Sequence, residues 1–302
     1  MSDDAASAGM TGFDQVLTFT VPERNARGRI VRLGPVLDAV IAAHAYPAPI
    51  RHLLAEAMVL AALLGSLLKD EQSQLTMQAQ TQDGVIDLLV CDYRSGELRG
   101  YVRFDRARLD ELGPSPTLHA LFGDGYLAIT FDLAATEQRY QGVVPLEGET
   151  LAAACESYFL QSEQIPTLIR LGVRSDAGGC VAGGLLIQHL PEGEEGRERL
   201  HVQLDHPEWE HMRIMGGSVS PTELVDPDLD LETVLWRLFH EEREVRVERG
   251  KQIVKGCRCS SDYYRSVLAR FGAAERAEMR NEDGLILVDC AFCSKVFEID
   301  LD

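Results

Sequence analysis

Four of the seven cysteines fall at the carboxyl end, as Cys257-Arg258-Cys259 and Cys290-Ala291-Phe292-Cys293, with residues 260–289 between the pairs. Cysteines this close can put two thiolates on one ion, and two such pairs complete the four-thiolate tetrahedron that zinc favours. The second pair carries the stronger signal. Leu285–Val288 reads as a strand entering a tight turn and Val296–Ile299 as a strand leaving it. That is the build of a zinc knuckle, with backbone N–H groups turned toward sulfur. The first pair has one intervening residue, fewer than most structural zinc sites use. Alone it would say little; together the two pairs constrain the end of the chain to fold around a metal.

The compartment strengthens this reading. Met1–Ser7 is acidic and has no apolar core, so a secretory signal is not expected and the protein reads as cytoplasmic. The most apolar stretch, Leu53–Leu68, is interrupted by Glu56. It is also shorter than the ~20 residues of a membrane span, which makes it a buried core helix and leaves no membrane partner. In a reducing compartment an odd set of seven cysteines points to metal ligands or redox centres rather than a disulfide scaffold. The 48 acidic residues against 29 basic ones, a net charge of −19, argue against nucleic acid, whose binders need a basic face. Lys251, Lys255, Arg258 and Lys295 lie near the cysteines in sequence, where cations offset the net negative charge of a zinc tetrathiolate.

At 302 residues the chain is long enough for about two domains with substantial cores. Strands are expected at Gln15–Val21, Arg29–Leu33, Leu75–Thr81, Val85–Cys91, Leu98–Phe104, Tyr126–Phe131, Arg139–Val144, Thr167–Val173 and Val181–Leu190, several of them alternating apolar and polar residues. Helices are expected at Val36–Ala45, Ile50–Lys69 and Glu149–Gln161. The whole reads as an α/β (α+β) amino-terminal domain, residues 1–192, with a mixed or antiparallel sheet and buried helices. The charged, glycine-containing run Pro191–Arg199 opens a metastable, mainly helical linker, residues 193–250. In it Asp205–Met215 reads as a helix, and Asp230 reads as the N-cap of a second. That second helix places Leu231, Val234, Leu235, Leu238 and Phe239 on one face before a run, 240–249, dense in both signs of charge. So thinly cored a region depends on docking to its neighbours. Residues 251–302 form a small zinc-binding module, with helical stretches at Asp262–Phe271 and Ala274–Asn281, too poor in apolar residues to fold without a staple.

No familiar catalytic constellation appears. His240-Glu241-Glu242 lacks the second histidine of a zinc-protease helix, and Gly178–Gly184 lacks the Lys-Ser/Thr of a phosphate loop. Gly216–Ser220 lacks the closing glycine of a nucleophile elbow. These glycines read as close packing or turns. Cys91, Cys155 and Cys180 read as small buried hydrophobes. On spacing alone the four carboxyl-terminal cysteines leave two readings open, a permanent structural zinc and a redox-sensitive site. Each pair is close enough to form a local disulfide, and a one-residue loop would strain one and leave it labile. Zinc-binding energy of ~10–16 kcal/mol is folding energy in a small module, so oxidising the ligands would unfold it.

The C-x-C followed by C-x-x-C resembles the zinc centre of the heat shock protein 33 family, the bacterial redox-regulated chaperones. The resemblance extends through Cys91–Tyr101, Tyr140–Leu146, Tyr158–Thr167 and Ala182–Leu186 and so covers most of the chain, Met1 to about Phe13 being least similar. It implies one Zn²⁺ held by Cys257, Cys259, Cys290 and Cys293 in a reduced, inactive form. It further implies that peroxide with mild unfolding, or hypochlorous acid, makes Cys257–Cys259 and Cys290–Cys293 disulfides, releases zinc and unfolds module and linker. The opened form would dimerise and hold unfolded or oxidatively damaged client proteins without ATP, with the cysteines as sensors rather than catalysts, and hence no enzyme. The competing readings are a permanent zinc site in a thiol-disulfide or peroxide enzyme, and an RNA-associated factor.

Overall fold

The computed structural model describes residues 12–176, 179–190 and 206–301. The amino-terminal stretch to residue 11, the run Pro191–Arg199 and the expected boundary at 192/193 lie outside them. Chain order begins with strands β1 (Gln15–Val21) and β2 (Ala26–Leu33), helices α1 (Pro35–Ile41) and α2 (Ala48–Gly65), and strands β3 (Gln74–Gln80), β4 (Ile86–Arg94) and β5 (Glu97–Phe104). Short helices α3 (Arg106–Glu111) and α4 (Leu118–Phe122) lead to strands β6 (Tyr126–Leu133) and β7 (Gln138–Pro145). Helix α5 (Leu151–Tyr158) and strands β8 (Thr167–Asp176) and β9 (Gly179–His189) follow. All nine expected strands form. Helices α3 and α4 were not expected; each is only one or two turns long, started by the side-chain caps of Asp105 and Thr117.

These elements make two sheets with α2 between them. The first has the order β10-β1-β2-β9-β8, where β10 is Arg246–Gln252, and is antiparallel throughout. The second has the order β11-β5-β4-β3-β6-β7, where β11 is Val254–Lys255, and only β11 runs parallel to its neighbour. Helix α2 is apolar over most of its surface because, from Leu53 on, it is buried apart from the half-buried Glu56: Leu54, Met58, Leu60 and Leu64 are fully buried in a core shared by both sheets. It meets the length and composition of a membrane span, but here it is the core helix of the body.

The first sheet is covered on its other face as well. Helices α6 (Pro207–Gly217), α7 (Pro221–Val225) and α8 (Leu231–Phe239) lie there, α8 capped by Asp230 and α7 by a Ser220–Glu223 capping box. Trp209, Met212, Leu235, Leu238 and Phe239 pack against Leu17, Phe19, Ile30, Leu185 and Ile187 of the sheet. Two glycines permit the close approach of α7: a Cβ on Gly172 or Gly183 would stand 2.2 Å from the carbonyl oxygen of Pro221 or Leu224. Arg32, 2% exposed, reaches from β2 through the layer. Its guanidinium donates to the carbonyls of Leu224 (2.8 Å), Leu229 (2.8 Å) and Glu223 (2.9 Å).

One difference from expectation concerns the charge-rich run 240–249. Its second half is not helical: Arg246–Gln252 adds to the edge of the first sheet, pairing Phe19 with Val247 and Thr20 with Arg246, and so crosses residue 250. Backbone pairing is indifferent to the charges, which point to solvent and blunt the edge.

Candidate metal centre

The last residues form a small unit of helices α9 (Ser261–Leu268) and α10 (Ala273–Met279) and a hairpin of β12 (Ile286–Asp289) and β13 (Val296–Ile299). Its buried core is Leu268, Ile286, Cys290, Phe297 and Ile299. A core of four apolar side chains and one cysteine is too small to hold a fold unaided.

The four cysteines meet at one end of it. Their sulfurs all lie within 4.8 Å of one another. Three separations are short: Cys257 to Cys259 at 3.3 Å, Cys257 to Cys290 at 3.5 Å and Cys259 to Cys293 at 3.5 Å. A tetrahedron of zinc–sulfur bonds of about 2.3 Å has edges of about 3.8 Å, so this spacing and an all-sulfur donor set fit zinc. When bound, the ion would serve as the cross-link that the small core lacks.

Local chain geometry explains how each pair arrives. Cys290 and Cys293 sit on the hairpin turn, where Ser294 takes a left-handed conformation (φ 56°) and its N–H returns to the carbonyl of Cys290 at 2.8 Å. Burial raises the Cys290 thiol, but the N–H groups of Cys293 and Phe292 and the hydroxyl of Tyr264 point at its sulfur and bring it down to about 7. Burial pushes the thiols of Cys257 and Cys259 up. The first pair is delivered by β11, whose Val254 and Lys255 pair with Glu97 and Leu98 of β5. Gly256 has to be glycine, because a Cβ there would lie 2.3 Å from that of Glu97.

The cations expected around the cysteines take other partners. Lys251 pairs with Glu71, Lys255 donates to the carbonyl of Ala39, Lys295 lies over the Phe297 ring, and Arg258 faces the buried Asp92 at 3.5 Å. Asp92 also holds Arg99 and the hydroxyl of Thr76. Sequence reasoning did not single out Tyr264, Asp92 or Arg99 as parts of the site. Tyr264 offered the one usable signal, an aromatic hydroxyl a few residues past a cysteine pair. Cys91, Cys155 and Cys180 are buried in the main core and are not part of the four-sulfur cluster, and burial raises each thiol.

A family model described as Hsp33 protein matches residues 14–300. The chain belongs to that family. It is 42% identical over 308 residues to the 33 kDa chaperonin of Caulobacter vibrioides, covering 99% of both chains. It is 33% identical over 292 residues to the 33 kDa chaperonin of Yersinia pestis, covering 96% of this chain and 94% of that one. The crystal structure of the 33 kDa chaperonin of Thermotoga maritima superposes with a TM-score of 0.77 at 24% identity over 95% of this chain and 94% of that one, so the two share a fold.

The thiol environments predict an order of reactivity. In reduced, zinc-free protein the four cysteines of the module, which loses its cross-link with the ion, should be alkylated first. Cys91 and Cys155, with no exposed surface, should stay unmodified until the protein unfolds. Peptide mapping after timed iodoacetamide pulses checks this, and early labelling of Cys91 would contradict it.

Proposed function

We propose that this chain is a redox-regulated, ATP-independent chaperone of the holdase type, and not an enzyme. Its relatives are named chaperonins, and the single observation that carries the redox part is the close four-sulfur cluster stapling a module with almost no core. The working division is a chaperone domain at 1–192, a metastable linker at 193–250 and a zinc-binding redox switch at 251–302. Reduced Cys257, Cys259, Cys290 and Cys293 would hold one Zn²⁺ as thiolates. With peroxide or hypochlorous acid as the electron acceptor, Cys257 with Cys259 and Cys290 with Cys293 each give up two electrons and form a disulfide. Peroxide is reduced to water, hypochlorous acid to chloride and water. A disulfide is a poor ligand, so oxidation releases the ion and its cross-link together.

Loss of the module then propagates through covalent continuity. Residues 246–256 run directly from the first sheet into Cys257, so an unfolded module pulls on β10, β11 and the helices before them. Undocking of α6–α8 uncovers Leu17, Phe19, Ile30, Leu185 and Ile187. A contiguous apolar face of this kind binds unfolded or oxidatively damaged clients, or a second copy of the chain, giving the oxidised homodimer. The site of action is cytoplasmic, with neither nucleic acid nor membrane as partner.

Light scattering from an aggregating unfolded client tests the reading. Suppression only by protein pre-treated with peroxide at mild heat, reversed by a dithiol, is the expected result. Equal behaviour of reduced and oxidised protein would leave the cysteines as a permanent structural site. Catalytic turnover of peroxide would make the protein an enzyme, and tight salt-dependent RNA binding would make it an RNA-associated factor.

A further inference from the structure

The cysteines are not held by the small module alone. Their knuckle loop rests on an edge of the amino-terminal body made by the end of α1 and the middle of β5. The His44 ring nitrogen Nε2 lies 2.8 Å from the carbonyl oxygen of Ala291. A carbonyl can only accept, so Nε2 carries a proton. The Ser294 hydroxyl donates to the carbonyl of Ala43 at 2.8 Å and lies 3.2 Å from Nδ1 of the same ring. Phe292 is taken from two sides: the Arg99 guanidinium stands 4.0 Å from its ring centre, and the Tyr101 ring meets it edge-on at 6.3 Å. Arg99 is itself fixed by Asp92, and the His44 ring packs at 5.5 Å from that of Tyr101.

The residues so gripped are the two between ligands Cys290 and Cys293 and the one that follows them. For either sulfur to leave a shared ion, this loop must swing away, and that motion breaks the contacts. We propose that His44, Arg99 and Tyr101 form a clasp on the knuckle loop, positioning residues through which the amino-terminal body slows loss of metal from the four-cysteine centre. The inference rests on the reading of these cysteines as zinc ligands. It adds that metal retention is a property of the interface between body and module. Whatever lifts the loop from this edge, heat or mild denaturant included, then loosens the centre without touching a cysteine.

The test uses full-length, reduced protein, and elemental analysis comes first. Protein that holds no zinc overturns the ligand reading itself. With zinc present, its transfer to an excess of colorimetric chelator is timed without oxidant. His44→Ala is expected to speed transfer by about five- to tenfold, the worth of one or two modest hydrogen bonds. Ser294→Ala should act in the same direction, and the double variant should fall short of the product of the two, because they share one contact. His44→Gln, which keeps an N–H donor, should recover most of the slow rate. His119→Ala, on the exposed face of α4, should leave it unchanged. Transfer from His44→Ala at the wild-type rate would overturn the clasp, as would an equal acceleration in His119→Ala. Should His44→Ala lower the urea midpoint of the body, the surface variant Ser294→Ala decides instead.

Discussion

Chelation of zinc from the reduced protein, or Cys290→Ser, is expected to unfold residues 257–299 while the two-sheet body stays intact. The expectation follows from a comparison of magnitudes. The module's buried core is Leu268, Ile286, Cys290, Phe297 and Ile299. Burying four such apolar side chains contributes about 6–12 kcal/mol at ~1.5–3 kcal/mol each. Burial on that scale does not offset the entropy lost in ordering the backbone around it. A structural zinc contributes about 10–16 kcal/mol, and it is the dominant single term. The body has no such dependence, since its core runs through α2 and both sheets. Amide hydrogen exchange checks the prediction. Amides of Tyr264, Val288 and Phe297 should lose protection on chelation, whereas those of α2 and β3 should keep it. Continued protection in α9 and the hairpin after complete zinc removal would show that the module folds on its own.

What could be read from the sequence, and what could not, follows from where each residue's partner lies. Alternating strands declare themselves locally, as in Gln74–Gln80, where every second residue is buried. Helix α8 was equally legible: Asp230 caps it, and Leu231, Val234, Leu235 and Leu238 face inward while Trp236 stays exposed. The four-cysteine cluster was legible because four residues of one chemistry lie in two tight pairs. Arg246–Gln252 was not, because strand pairing with β1 depends on backbone groups and its side chains carry no inward period. Arg32 lies in a strand, and its side chain is among the most buried. The carbonyls that hold it come from residues 223, 224 and 229, and no local pattern announces them. The same distance hid His44 and Arg99, whose partners lie on the far module.

Arg32→Met is expected to make the reduced, zinc-loaded protein hold clients without any oxidant. The wild-type guanidinium satisfies three carbonyls at the end of α7 and in the turn before α8. Methionine fills much of the space but donates nothing, so three buried acceptors lose their partner at about 1–3 kcal/mol each. The penalty falls on docking and not on the body, because all three carbonyls belong to the layer of α6–α8 and Arg32 itself belongs to the sheet. Gly183→Val should act by a separate route. Its added Cβ would meet the Leu224 carbonyl at 2.2 Å and push α7 away from β9. Either change tips the layer toward an undocked state that uncovers Phe19, Ile30, Leu185 and Ile187, with the four thiolates still on their ion. Two readouts separate the steps: zinc content should stay at one per chain, while scattering from an aggregating client should fall to the level seen with oxidised wild type. If α6–α8 lose exchange protection and clients still aggregate, the face beneath these helices is not where clients bind. The client surface would then belong to the module or to the second sheet, and undocking would be a consequence of activation rather than its purpose.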